Sequence, residues 1–307
     1  PGLVAHLPLA GDLIDVTGRG NNGTKVNNPL YVPDGPLNKP ALRYSTEFTE
    51  PGTANYVSLG VRPDFNFSSN VSFTVAFWIR LPVNYQGGDL PFLTDTTNST
   101  FNKGFVFAPS YGEFGTASEG ETDGAWAFSV FDATSGGAGG HGPDNQINDG
   151  GWSHLVYVID RTQGSTVYVN GVPSQFIKQQ GTSVKDAGDI YTGAPVTIGQ
   201  DPSGNYGEIG SGDISDLGIW RRALTPLEAA SIYVAGAVNQ LSFTGTFVEV
   251  VTVEFEWTND ELKLTWPTGT LQAADSLDGL FTNVAGAVSP YTVPTATATH
   301  RFFRVSY

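Results

Sequence analysis

Over residues 72–81 apolar and polar side chains alternate with a period of two. Phe73, Val75, Phe77, Ile79 and Leu81 form one wholly apolar face, and Ser72, Thr74, Ala76, Trp78 and Arg80 form the other. Successive strand side chains point to opposite faces, so this segment predicts a strand with one face in a core and the other partly covered. Residues 152–160 and 166–173 read as further strands. Within the second, Asn170-Gly171 lies between β formers, and both residues accept the positive φ of a two-residue hairpin turn. Helical spacing occurs once. Thr225 caps, Pro226 takes the first helical position, Glu228 reaches back to the cap, and Gly236 is the expected end.

Two long segments, 109–124 and 133–151, carry no clear period. Loops of this length on a β scaffold often carry function, which makes both candidate binding loops. The pattern changes again near 238–245, and alternation over 246–258 opens a compact tail of about 60 residues. The expected organisation is an all-β domain over residues 1–240 and a small β-module over residues 241–307.

Composition narrows the function classes. Among 307 residues, Lys and Arg number 15 against 30 Asp and Glu, a net charge of −15. Such a surface repels phosphate backbones and anionic lipid, so no nucleic acid partner is expected. No apolar run approaches the about 18 residues of a membrane span, so no membrane insertion is expected either. The absence of Cys excludes disulfides, thiolate metal sites and cysteine nucleophiles. Charged residues are only 15% while Gly reaches 38, which suits turn-rich β structure. With Pro1 first and no Met, the chain reads as a processed, secreted protein.

The motifs resemble a known family. Asp15-Val16-Thr17-Gly18-Arg19-Gly20-Asn21-Asn22-Gly23, then Ala41-Leu42-Arg43-Tyr44, Tyr56-Val57-Ser58-Leu59, residues 73–79, Trp152-Ser153-His154-Leu155, residues 167–171 and finally residues 212–225 follow one another in the order found in bacterial laminin G-like domains. These are concanavalin A-like, pentraxin-like jelly rolls of secreted proteins. The resemblance covers residues 3 to 235 and implies a jelly-roll β-sandwich. The tail, with Leu264-Thr265-Trp266-Pro267 and Phe302-Phe303-Arg304-Val305, is similar to a small β-module that ends many secreted bacterial proteins.

Such domains often bind Ca²⁺ on a rim, so the resemblance makes Ca²⁺ the expected cofactor. Ca²⁺ takes six to eight oxygens, and Asp15, the Gly18 carbonyl, Asn21 and Asn22, with Asp213 or Asp216, are the candidate ligands. Where the family often has a second adjacent carboxylate, this chain has Ser215 before Asp216. The same residues also suit a tight loop closed by Asx hydrogen bonds. The expected activity is extracellular, non-catalytic recognition of a polysaccharide or glycoprotein through polar loops. Tyr111, Trp126, His141, Asp144, Asn145 and Tyr206 are the candidate ligand-binding residues. A structural or adhesive subunit that self-associates at the cell surface is the alternative. A glycoside hydrolase comes third, because Glu121 and Asp123 begin a paired-carboxylate pattern that Gly124, Ala125 and Trp126 do not complete. Glu254 and Glu256 fit a solvated strand face. Most aromatic motif residues read as core, and His154 as a hydrogen-bonded sheet histidine.

Overall fold

The computed structural model describes the chain except residues 47–51, 86–87, 97–102, 111–123, 206, 208–209, 244–252, 259–260, 267–268, 277–278, 294–300 and 307. It divides into two compact units, Pro1–Phe247 and Val248–Tyr307.

The first unit is an antiparallel sandwich of two eight-stranded sheets. In one sheet the order is Val172–Pro173, Gly164–Val169, Ser153–Asp160, Phe73–Arg80, Gly210–Trp220, Ala41–Thr46 and Leu30–Val32, with Leu3–Leu7 also pairing with Gly210–Trp220. The other sheet runs from Lys178–Gly181 through Gly137–His141, Ala125–Phe131 and Gly104–Ser110 to Thr24–Val26. The apolar face of residues 73–81 lies wholly inside: Phe73, Val75, Phe77, Ile79 and Leu81 are all fully buried. Aromatics fill the space between the sheets: Phe107 and Tyr157, from opposite sheets, are centred 4.4 Å apart, and Phe67, from the connection before Phe73–Arg80, stacks 4.2 Å from Phe73. The Asn170-Gly171 turn forms as its sequence demands, with φ of 50° and 77°.

The helix α1, Pro226–Ala237, covers part of the outer face of the first sheet. Its capping box closes in both directions: Thr225 Oγ1 accepts from the Glu228 amide at 3.2 Å, and the Glu228 carboxylate accepts from the Thr225 amide at 2.8 Å. A second, smaller core of Ala76, Val156, Val158, Trp220, Ala229 and Ile232 lies beneath it. Gly236 does not end the helix. It lets the backbone approach Trp78, whose Cζ2 would lie 2.8 Å from an added Cβ.

The segment 133–151 also departs from expectation, because Gly137–His141 is a central strand rather than loop. Its glycines give no periodic signal, yet space demands them: a Cβ on Gly140 would lie 2.5 Å from the Lys178 carbonyl oxygen. The second unit pairs three strands, Glu254–Thr258, Glu261–Thr265 and Tyr291–Val293, and separately Thr282–Asn283, Thr270–Ala274 and Phe302–Ser306. Its own core is built on Leu264, Trp266, Leu271 and Val293.

Candidate functional site

Beyond the helix, the outer face of the first sheet turns polar. Asp213 sits opposite Arg43 on one neighbouring strand and opposite Arg80 on the other. Directly opposed side chains share a face about 5 Å apart, so the register alone puts this carboxylate between two guanidiniums. Arg43 donates from Nε and Nη2 to the two Asp213 oxygens at 2.6 and 2.9 Å. Arg80 donates from Nε and Nη2 to Asp213 Oδ2 at 2.9 and 2.7 Å. Arg80 also grips Asp34, with Nη1 to Oδ2 at 2.7 Å and Nη2 to Oδ1 at 3.0 Å. The Trp152 ring lies against Arg80, 4.9 Å from its guanidinium carbon, and its Nε1 donates to the Asp34 carbonyl at 3.1 Å.

This ladder lines a cleft of about 440 Å³ whose remaining walls include Val32, Pro33, Pro82 and Val83. The cleft exists because the strands end at different places. Phe73–Arg80 stops just before Pro82, which lacks a ladder donor, while Gly210–Trp220 continues alongside Ala41–Thr46 as far as Gly210. Gly212 is required there, since a Cβ would lie 2.5 Å from the Tyr44 hydroxyl. Exposure divides the ladder: the side chains of Asp34 and Arg43 are 66% and 46% exposed, whereas Asp213 is 3% exposed. The Arg80 guanidinium holds the Asp34 carboxyl down to about 2, and the carboxylates raise both arginines.

The residues expected to hold calcium do not converge. Asp15 is buried, and its oxygens accept from the amides of His6, Thr17 and Asn21 at 3.0 Å each and from the Thr17 hydroxyl. Burial alone would raise its pKa; these hydrogen bonds outweigh it together and leave the carboxyl below the usual range. Asn21 donates to the Val4 carbonyl and to Asp64, Asn22 accepts from the Asp15 amide, and Gly18 sits exposed with φ of 78°. Asp213 already faces two arginines. Asp216, at a bulge with φ of 53°, meets His6 Nε2 at 2.9 Å and accepts from the Ser242 hydroxyl. Asp15 and Asp216 meet only through His6, Asp213 faces arginines, and no cluster of metal-ligating side chains occurs among the described residues. The His6, Asp216 and Ser242 contacts all use one ring nitrogen, so they do not form a Ser-His-Asp relay, which needs both.

The ligand-binding candidates also scatter. Trp126 is fully buried, with Nε1 donating to Ser174 Oγ at 2.8 Å, so no face is open to a sugar ring. His141 is buried on its strand with Nδ1 3.0 Å from the Gly142 carbonyl. Asp144 and Asn145 are exposed on a turn, where Asn145 accepts from Asn148 at 3.3 Å. Tyr111, Tyr206, Glu121 and Asp123 lie outside the described residues. Glu254 and Glu256 stand exposed on an edge strand of the second unit.

His154 differs from its expected role. It is fully buried beside Trp78, and neither ring nitrogen has a hydrogen-bond partner among the described residues. Burial pushes it down to about 4, against about 6.5 in an unfolded chain. Its cost is therefore absent above pH 6.5 and grows as pH falls towards 4, to about 3 kcal/mol. Asp95, fully desolvated and raised to about 7, acts in the opposite sense, with stability present at low pH and lost as pH rises towards 7. The clean measurement is a difference: His154→Leu is expected to gain on wild type by about 3 kcal/mol between pH 7 and pH 4 in urea unfolding. An unchanged difference across that range refutes this account.

A laminin G family model, described as the concanavalin A-like lectin/glucanases superfamily, matches residues 51–230, more than half of the chain. The chain belongs to this superfamily. No curated protein matches it. Among solved structures, this superfamily member is similar to the binding domain of Paraclostridial Mosquitocidal Protein 1, at 14% identity and a TM-score of 0.57, covering 96% of this chain and 72% of that one. The binding domain of botulinum neurotoxin serotype G gives 14% identity and 0.56, covering 87% and 62%. A structure of botulinum neurotoxin type C gives 13% and 0.53, covering 93% and 62%. At these identities the likeness establishes the jelly-roll architecture.

Proposed function

We propose that this chain is an extracellular, non-catalytic carbohydrate-recognition module, and that a saccharide lodges in the cleft between Asp34 and Arg43. The carrying observation is the Arg43–Asp213–Arg80–Asp34 ladder, which ties an exposed acceptor on a loop, Asp34, to an exposed donor on the sheet face, Arg43, through two shared ion pairs. A sugar hydroxyl both donates and accepts, so it can satisfy both at once. Because each charged side chain is already locked by its partner, binding immobilises little that was free. Charge-assisted hydrogen bonds give the orientation. Val32 and Val83, which line the cleft, offer apolar surface to C–H faces. Superfamily membership supports this reading. So does the fold shared with toxin binding domains, one of which was solved in work on neurotoxin entry through two ganglioside molecules.

The test is a glycan array probed with the full chain in Ca²⁺ and in EDTA. Arg43→Ala is expected to weaken binding at least tenfold while melting shifts little, since Arg80 still pairs Asp213. EDTA is expected to leave binding unchanged, because the cleft donors are arginines and its carboxylates already face guanidiniums. Binding that ignores Arg43→Ala, or no binding to any glycan, overturns the proposal.

A further inference from the structure

We infer that Asp34 sets the charge class of saccharide the cleft accepts: neutral, hydroxyl-rich sugars in this chain, and carboxylated or sulfated ones when Asp34 is neutralised. The inference rests on reading the cleft as a saccharide site, and it follows from how the four charges are shared.

Asp213 lies under the surface and is consumed by the two arginines. Arg80, 18% exposed, commits Nε, Nη1 and Nη2 to Asp213 and Asp34. What an arriving ligand meets is therefore the Asp34 carboxylate and the outer edge of Arg43, whose Nη1 makes no hydrogen bond among the described residues. Two guanidiniums stand against two carboxylates, so the cleft sums to zero. An anionic sugar that reached Arg43 would also face Asp34, on a chain of net charge −15, and the attraction and repulsion offset each other. A neutral diol meets no such conflict, because it donates to Asp34 while accepting from Arg43. Removing the Asp34 charge loosens its hold on Arg80 and leaves two guanidiniums over one buried carboxylate. The cleft then carries a positive charge suited to bidentate capture of a carboxylate or sulfate. Asp34 is exposed and sits in a loop, so Asp34→Asn leaves the sheet intact.

The experiment uses the full chain, as wild type, Asp34→Asn and Arg43→Ala, on an array that pairs neutral oligosaccharides with their sialylated, uronylated and sulfated counterparts. Wild type is expected to favour the neutral member of each pair. Asp34→Asn is expected to shift the acidic-to-neutral ratio about fivefold towards the acidic member, an effect that fades as salt rises. Wild-type preference for acidic members, or a ratio untouched by Asp34→Asn while Arg43→Ala still weakens binding at least tenfold, overturns the inference and leaves the carbohydrate reading standing. Binding that is absent, or indifferent to Arg43→Ala, removes the reading itself and the inference with it.

Discussion

Asp213→Ala is expected to cost about 3 kcal/mol of folding stability and to abolish ligand binding at the cleft. The carboxylate accepts four N–H groups from two guanidiniums on the strands either side. Without it, Arg43 and Arg80 face each other across a position that is only 3% exposed. Removing one partner of a fully buried pair costs about 3–5 kcal/mol, because the other charge is left uncompensated. Here the lower end applies, since Arg43 can swing into water and Arg80 keeps Asp34. Asp213→Asn, which keeps the shape and an acceptor, is expected to cost roughly half as much. Urea unfolding monitored by tryptophan fluorescence gives the number. A loss below about 1 kcal/mol for the alanine variant would mean the ladder is effectively solvated and lacks the rigidity assigned to it.

Local chemistry was legible in this chain, and long-range register was not. Period-two alternation located the strand from Phe73, Thr225 and Glu228 announced the helix, and Asn170-Gly171 announced its hairpin, each within a few residues. The ladder joins Asp213 to Arg43 and Arg80 across 170 and 133 residues of chain, which no local pattern encodes. A signal was nonetheless present. In a chain with only 15 basic residues, an arginine within each of two strand patterns, Arg43 and Arg80, calls for a buried carboxylate nearby. The resemblance offers Asp213 as a calcium ligand; in the structure its oxygens accept from two guanidiniums. The Asp15 loop shows the opposite limit. Its Asp, Asn and Gly content suits calcium and suits an Asx-closed loop equally, and no local pattern tells that the His6, Thr17 and Asn21 amides all reach Asp15. The glycine strand Gly137–His141 was invisible because a residue without a side chain leaves no period to read.

Trp126 separates a binding role from a packing role. A sugar platform loses affinity and keeps stability when truncated, whereas a core residue does the reverse. Trp126→Ala is expected to cost about 4 kcal/mol, with binding per folded molecule unchanged. The indole makes edge-on contacts with Phe176 at 5.1 Å and Tyr157 at 6.3 Å, and its Nε1 donates to Ser174, which in turn donates to Gln146 at 2.8 Å. Truncation opens a cavity and strips one hydrogen bond from the half-buried Ser174 hydroxyl. Gly142 tests the same packing from the other side, because a Cβ there would lie 2.2 Å from the indole Nε1. Gly142→Ala alone is therefore expected to destabilise by about 1–3 kcal/mol through overpacking. Combined with Trp126→Phe, which withdraws the nitrogen-bearing ring, it should cost less than the sum of the two single changes. A double-mutant cycle from denaturant unfolding measures that coupling, and strict additivity would show that the two positions do not press on each other.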